Sequence, residues 1–320
     1  MTRKELDHLR SEIGTLERFL AELSEDDVIE RVQLDYRLTA ARERLAAAET
    51  CPQAKSLPIT FRGQPVEGTR SIDATFATQA LKAFVEATDT VAASLVSDDL
   101  KGRGRLPGAN ERSLRIVDTA VGSFGFELEL PPLSNNGPVQ APLLPEFAMA
   151  DPYAEAINTT LALLGEAATD DEEAISDLIA KVHPRAATKV RAFAKVLADH
   201  NALFAAAFEG KQVQFDDDVQ VRRVVEALND DDISEDTEIL SGILLGMLPQ
   251  SREFEARLAD NTVLKGKVDR GIDDISAFKT SWESVEASLH FRVIRVRATR
   301  RYVLTGAEAL AASGSVLEED

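Results

Sequence analysis

Apolar residues recur with helical spacing along the first fifty positions. Leu6, Leu9, Ile13, Leu16, Leu20 and Leu23 step by 3, 4, 3, 4 and 3, an unbroken heptad seam. Ser24, followed by Glu25, Asp26 and Asp27, marks a new helix start, with acid at the positive helix end. A second seam follows at Leu34, Leu38, Ala41, Leu45 and Ala48. Two seams of matched length across a short turn predict an antiparallel, coiled-coil-like hairpin over 1–50. Each helix would span roughly 35 Å at 1.5 Å per residue. A bare hairpin leaves apolar edge uncovered. Leu6, Leu9, Ile13, Leu16, Leu20, Leu23, Leu34, Leu38 and Leu45 are therefore the candidate surface for self-association or for docking a protein partner.

After a linker the pattern turns mixed. Leu57, Ile59 and Phe61 alternate as a strand does and end at Gly63-Gln64-Pro65. Ser71 reads as the cap of a helix with Ile72, Phe76, Ala80, Phe84, Val91 and Leu95 on one face. A polar, glycine-rich loop (98–112) leads to strands at 114–117 and 124–130. This is a small α+β unit, 57–132. Residues 133–149, rich in Pro and Asn, read as a linker or an extended strap.

Asp151-Pro152 opens a helix that ends at Gly165, and Thr169 with Glu172 forms a capping box for a second. His183-Pro184 starts a third. It carries Val190, Phe193, Leu197, Phe204 and Phe208 as far as Gly210. With a short strand at 213–215 and a helix at 219–228, residues 150–230 read as an acidic helical bundle.

Beyond the acidic run 229–238 the period becomes 2. Strands are predicted at 239–248, 254–258 and 264–268. A turn at 260–262 sets Leu258 opposite Leu264, Phe254 opposite Val268 and Glu255 opposite Lys267. A short helix within 273–286 holds Trp282, and strands at 289–296 and 301–304 follow. The expectation for 237–306 is a small five-stranded β-barrel, OB/SH3-like. The fold class is thus α+β and multidomain, with a polar tail at 309–320 expected to be disordered.

Composition narrows the function. A hydrophobic content of 44% rules out wholesale disorder, and 6% aromatic residues suit packing on Ala, Leu and Val. The net charge is −19, which repels nucleic acid and anionic membranes as a whole. Asp151 to Glu238 holds 8 basic and 20 acidic residues, whereas Ala287 to Gly306 holds five arginines and no acid. Arg292, Arg295, Arg297, Arg300 and Arg301 are therefore a candidate polyanion or inter-subunit patch. The plainer reading pairs them with the chain's own surplus of acid.

The single cysteine, Cys51, excludes an internal disulfide and leaves a candidate reactive thiol beside Pro52. The start MTRKELDHLR has no apolar core of a secretory signal. The run 239–248 is far shorter than the roughly 18 residues that span a bilayer. The cytoplasm is the expected location, with no membrane partner.

No chemistry-bearing constellation stands out. KGRGRLPG (101–108) lacks the Lys-Ser/Thr pair of a phosphate loop, although Lys101, Arg103 and Arg105 offer charge. Gly122-Ser123-Phe124-Gly125 lacks nucleophile-elbow spacing. None of His8, His183, His200 and His290 has a second His or Cys three or four residues away. His200 reads as a structural histidine. The acidic clusters sit where helices start, and capping accounts for them. No catalytic, cofactor or metal residue is assigned. The expected function is a non-enzymatic assembly or interaction protein working through its hairpin. The alternative is a nucleic-acid-associated factor using the arginine face of the barrel.

Overall fold

A computed structural model describes residues 3–24, 27–49, 54–96, 113–120, 124–131 and 151–310. The heptad seams close on each other within the chain. Helix α1 (Arg3–Glu22) packs along α2 (Val28–Glu49), burying Leu6, Leu9, Leu16, Leu38 and Ala41. The Arg31 guanidinium donates to the Leu23 carbonyl and ties the turn, and Arg10–Glu49, Arg37–Glu12 and Arg42–Glu17 bridge the helices. These pairs are exposed, and solvent screens them. The buried leucines hold the hairpin.

The body is built on one five-stranded antiparallel sheet. β1 (Lys55–Gly63) leads through a short hairpin of two-residue strands, β2 (Val66–Glu67) and β3 (Ser71–Ile72), into α3 (Ala74–Val96). β4 (Arg115–Ala120) and β5 (Phe124–Leu130) follow, then α4 (Pro152–Thr169), α5 (Glu172–Lys181) and α6 (Pro184–Asp199). β6 (Ala202–Phe208), β7 (Lys211–Gln214) and α7 (Asp218–Ala227) complete it. The strand order is β4-β5-β1-β6-β7. Leu57, Ile59, Phe61, Leu128 and Phe204 lie on the buried face and share one core with residues of α3, α4, α6 and α7. The stretches expected as separate units, 57–132 and 150–230, thus share a sheet and a core.

That sharing turns on β6. The helix expected to run to Gly210 stops at Asp199, and Asn201 turns the chain with φ 47°. Phe204 and Phe208 are four residues apart, a spacing that suits one face of a helix and one face of a strand equally. Three smaller corrections concern helix ends. The cap of α3 is Asp73, whose side chain accepts from Phe76 N at 2.7 Å, while Ser71 lies in β3. α4 runs through Gly165 to Thr169, since tertiary burial of a whole apolar face outweighs about 1 kcal/mol of glycine propensity. Asp171, accepting from Ala174 N, caps α5 in place of the Thr169 box. The expected cap at Asp151 is present, accepting from Tyr153 N and Ala154 N.

The last five strands close into a ring. β8 (Ile233–Leu248), β9 (Glu253–Leu258), β10 (Val263–Val268), β11 (Glu286–Val296) and β12 (Thr299–Ala309) pair in the order β10-β12-β11-β8-β9, and β9 pairs back to β10. Helix α8 (Ile275–Trp282) lies between β10 and β11, and Phe278 and Trp282 pack on the ring's core. That core includes Leu244, Met247, Phe254, Leu289, Phe291 and Leu304.

The β9–β10 register differs from the expectation. Leu264 lies opposite Ala256, Gly266 opposite Phe254 and Lys267 opposite Glu253. Asn261 adopts φ 68° and Leu258 N donates to the Thr262 carbonyl, which closes the turn tighter than the predicted register requires. The shift is two residues, so each side chain keeps its face. β8 also starts earlier than expected, at Ile233, taking Glu235, Asp236 and Glu238 from the acidic run into the strand. On the opposite side of β11 and β12, Ile294, Val296 and Val303 belong to the body's core. The ring is therefore packed onto the body through apolar contact. The whole is a mixed α+β structure, and no helix among the described residues is long and apolar enough to cross a membrane.

Candidate interaction site

The hairpin's seam residues face inward. Leu6, Leu9, Leu16 and Leu38 are buried, and Ile13, Leu20, Leu23, Leu34 and Leu45 are half-buried. The exposed apolar residues lie elsewhere on the same helices. Val28, Ile29, Val32 and Tyr36 of α2 are 61, 78, 63 and 77% exposed. Val32 and Tyr36 each stand two residues from Leu34, about 200° around the helix, so this stripe looks away from α1. Sequence reading missed it because the seam claimed every leucine. The signal was Ile29, Val32 and Tyr36 stepping by 3 and 4, a second helical period on one helix.

A groove of about 890 Å³ runs along one side of the hairpin. Leu16, Phe19, Leu23 and Leu34 are its apolar lining, and Phe19 is 52% exposed. Glu12, Glu22, Asp27, Glu30 and Arg37 add charge along it. Arg37 is paired with Glu12 at 3.3 Å.

Four of the five arginines of the expected patch meet the chain's own carboxylates. Arg292 contacts Asp269 at 3.2 Å and Glu235 at 3.8 Å. Arg295 contacts Glu238 at 3.0 Å and Asp236 at 3.6 Å. Arg297 reaches Asp170 at 2.8 Å, where α4 ends, and Arg301 reaches Asp177 of α5 at 2.6 Å. Arg300 is exposed. A groove of about 700 Å³ between α5 and the ring is lined by charges of both signs. Lys265–Glu255 and Lys267–Glu253 line it as ion pairs, and hydrogen bonds from Lys267 and Ser251 hold the Glu253 carboxyl below its ordinary range.

Two titratable groups are held off their ordinary values inside the fold. Burial raises the Asp89 carboxyl, against the hydrogen bond it accepts from the Tyr153 hydroxyl at 2.6 Å. Burial lowers His183, with Glu235 opposing and Arg292 and Arg185 assisting. His183 caps α6 by accepting from Arg185 N on Nδ1 at 3.1 Å, which requires an unprotonated Nδ1. Stability tied to this cap is complete above the ordinary value of 6.5. It falls as pH drops below that value and levels off beneath the lowered folded value. His183→Asn keeps an acceptor and removes the titration. Thermal midpoints measured from about pH 7 to 5 should lose part of their acid-side decline in this variant.

His200 ends α6, with Nδ1 2.9 Å from the Val196 carbonyl oxygen and its ring 5.2 Å from Phe76. Among the described residues no group of three or more His, Cys, Asp and Glu is placed to hold a metal ion. Cys51, the Lys101–Arg105 loop, Ser123, the strap 133–149 and the tail from 311 lie outside the described residues. Comparisons with protein-family models, with curated proteins and with solved structures found no match to the chain.

Proposed function

We propose that the protein is a non-enzymatic, multidomain interaction protein of the cytoplasm whose N-terminal hairpin is its docking element. One observation carries the reading. Of the 13 exposed large hydrophobic residues among those described, five lie on the hairpin: Phe19, Val28, Ile29, Val32 and Tyr36. A helix with one apolar face packed and a second left open is built to meet another surface. The closed ring, with its parallel β10–β12 join and a helix after the third strand, fits an OB-type barrel. The β9–β10 face that such barrels use for nucleic acid carries paired charges here. Four of the five arginines of the patch are paired as well, which favours the interaction reading over the nucleic-acid one.

The test is recovery of the intact protein, with associated chains, from its own cells. A variant carrying Val28→Lys, Val32→Lys and Tyr36→Lys keeps the internal seam intact. Loss of the associated chains in the variant supports the reading, and solution mass then tells a second copy from a different protein. An unchanged set of associated chains would overturn it.

A further inference from the structure

The two sides of the hairpin differ. Arg10–Glu49 and Arg42–Glu17 lie outside the 890 Å³ groove, and among the described residues only Arg37–Glu12 bridges within it. Toward the turn no ion pair crosses the groove among the described residues. There Phe19 stands half-exposed over Leu16, Leu23 and Leu34, a strip as long as a few helical turns. Glu22, Asp27 and Glu30 stand on its rim, exposed and with no ion pair among the described residues. An apolar floor running along two helices fits a third helix laid lengthwise. The rim decides which helix. A second copy of this hairpin would bring the same unpaired acids against themselves, whereas a helix flanked by Lys or Arg would neutralise them.

We propose that this groove docks a basic amphipathic helix of another protein. The proposal rests on the hairpin being the docking element and names the chemistry of its partner. The net charge of −19 draws such a helix toward the molecule, and the groove selects where it seats. Phe19 and the half-buried Leu23, four residues apart, supply contacts one helical turn apart, over a floor formed by the buried Leu16.

The experiment uses the full chain and two synthetic helical peptides of about 20 residues, both with Leu at a and d. One carries Lys at the other positions and one carries Glu. The basic peptide is expected to bind with a Kd on the order of micromolar, and the acidic peptide not to bind. Glu22→Lys with Glu30→Lys should weaken binding by about tenfold or more, as should Phe19→Asp. A control pair, Asp35→Lys with Glu43→Lys, makes the same charge change on α2 outside the groove and should stay within about twofold. Circular dichroism confirms that each variant keeps its helices. Equal weakening by the control pair would mean attraction to the overall charge and would overturn the groove assignment. So would equal binding of the acidic peptide, or no binding of the basic one. A failure here leaves the recovery experiment unaffected, because that one reads the Val28–Tyr36 stripe on the other face of α2.

Discussion

Phe204→Ala is expected to cost about 3–5 kcal/mol of stability, the range for emptying a fully buried aromatic site. Phe204 is 1% exposed. Its ring lies 5.0 Å from Phe193, 5.7 Å from Phe84, 5.8 Å from Phe61 and 6.3 Å from Phe215. These rings come from β1, α3, α6 and the residue that follows β7, so one cavity would touch both halves of the body. Urea unfolding read by far-UV circular dichroism follows the body's helices. The only tryptophan, Trp282, packs on the ring's core and reports that part separately. The dichroism midpoint should fall first and furthest. A loss below about 1 kcal/mol would contradict the placement of β6 at the centre of the core.

The same residue shows what could be read from sequence and what could not. Heptad steps, the Asp151 cap and the alternation in 254–268 are local patterns, each enforced within a few residues, and each is present in the structure. β6 is central because it pairs with β1, some 140 positions earlier, and no local pattern records that pairing. Alanine-rich 202–208 even favours a helix by propensity, and burial against β1 overrides it. The arginines had a similar fate. Their clustering was legible, and so was the surplus of acid. For Arg292 and Arg295 the match depended on β8 beginning at Ile233, so that Glu235, Asp236 and Glu238 lie beside β11, and for Arg297 and Arg301 it depended on the ring meeting α4 and α5. At the hairpin the heptad named the right element but its inward face. The outward stripe and the groove needed the packing of α1 on α2 to show which apolar residues remained uncovered.

Arg292→Ala is expected to cost about 3 kcal/mol, because it strands carboxylates that the fold has largely removed from water. The Arg292 side chain is 20% exposed, and those of Asp269 and Glu235 are 11% and 31% exposed. The position matters beyond the pair. β10 joins β12 by only three register pairs, Gly266–Tyr302, Lys267–Val303 and Val268–Leu304. The chain leaving that join is fixed by two arginines: Arg252 donates to the carbonyls of Val268, Asp269 and Ile272, and Arg292 holds the Asp269 carboxylate. Without Arg292 the ring should loosen first at this join, and amide exchange at 302–304 should accelerate more than at the β11–β8 ladder. A second readout separates this from a general loss of packing. Arg292 is one of the cations that lower His183, so its removal should raise His183 toward its ordinary value and reduce the acid-side loss of the α6 cap. Uniform acceleration of exchange around the ring, with the His183 titration unmoved, would show that Arg292 is not what holds the β10–β12 join.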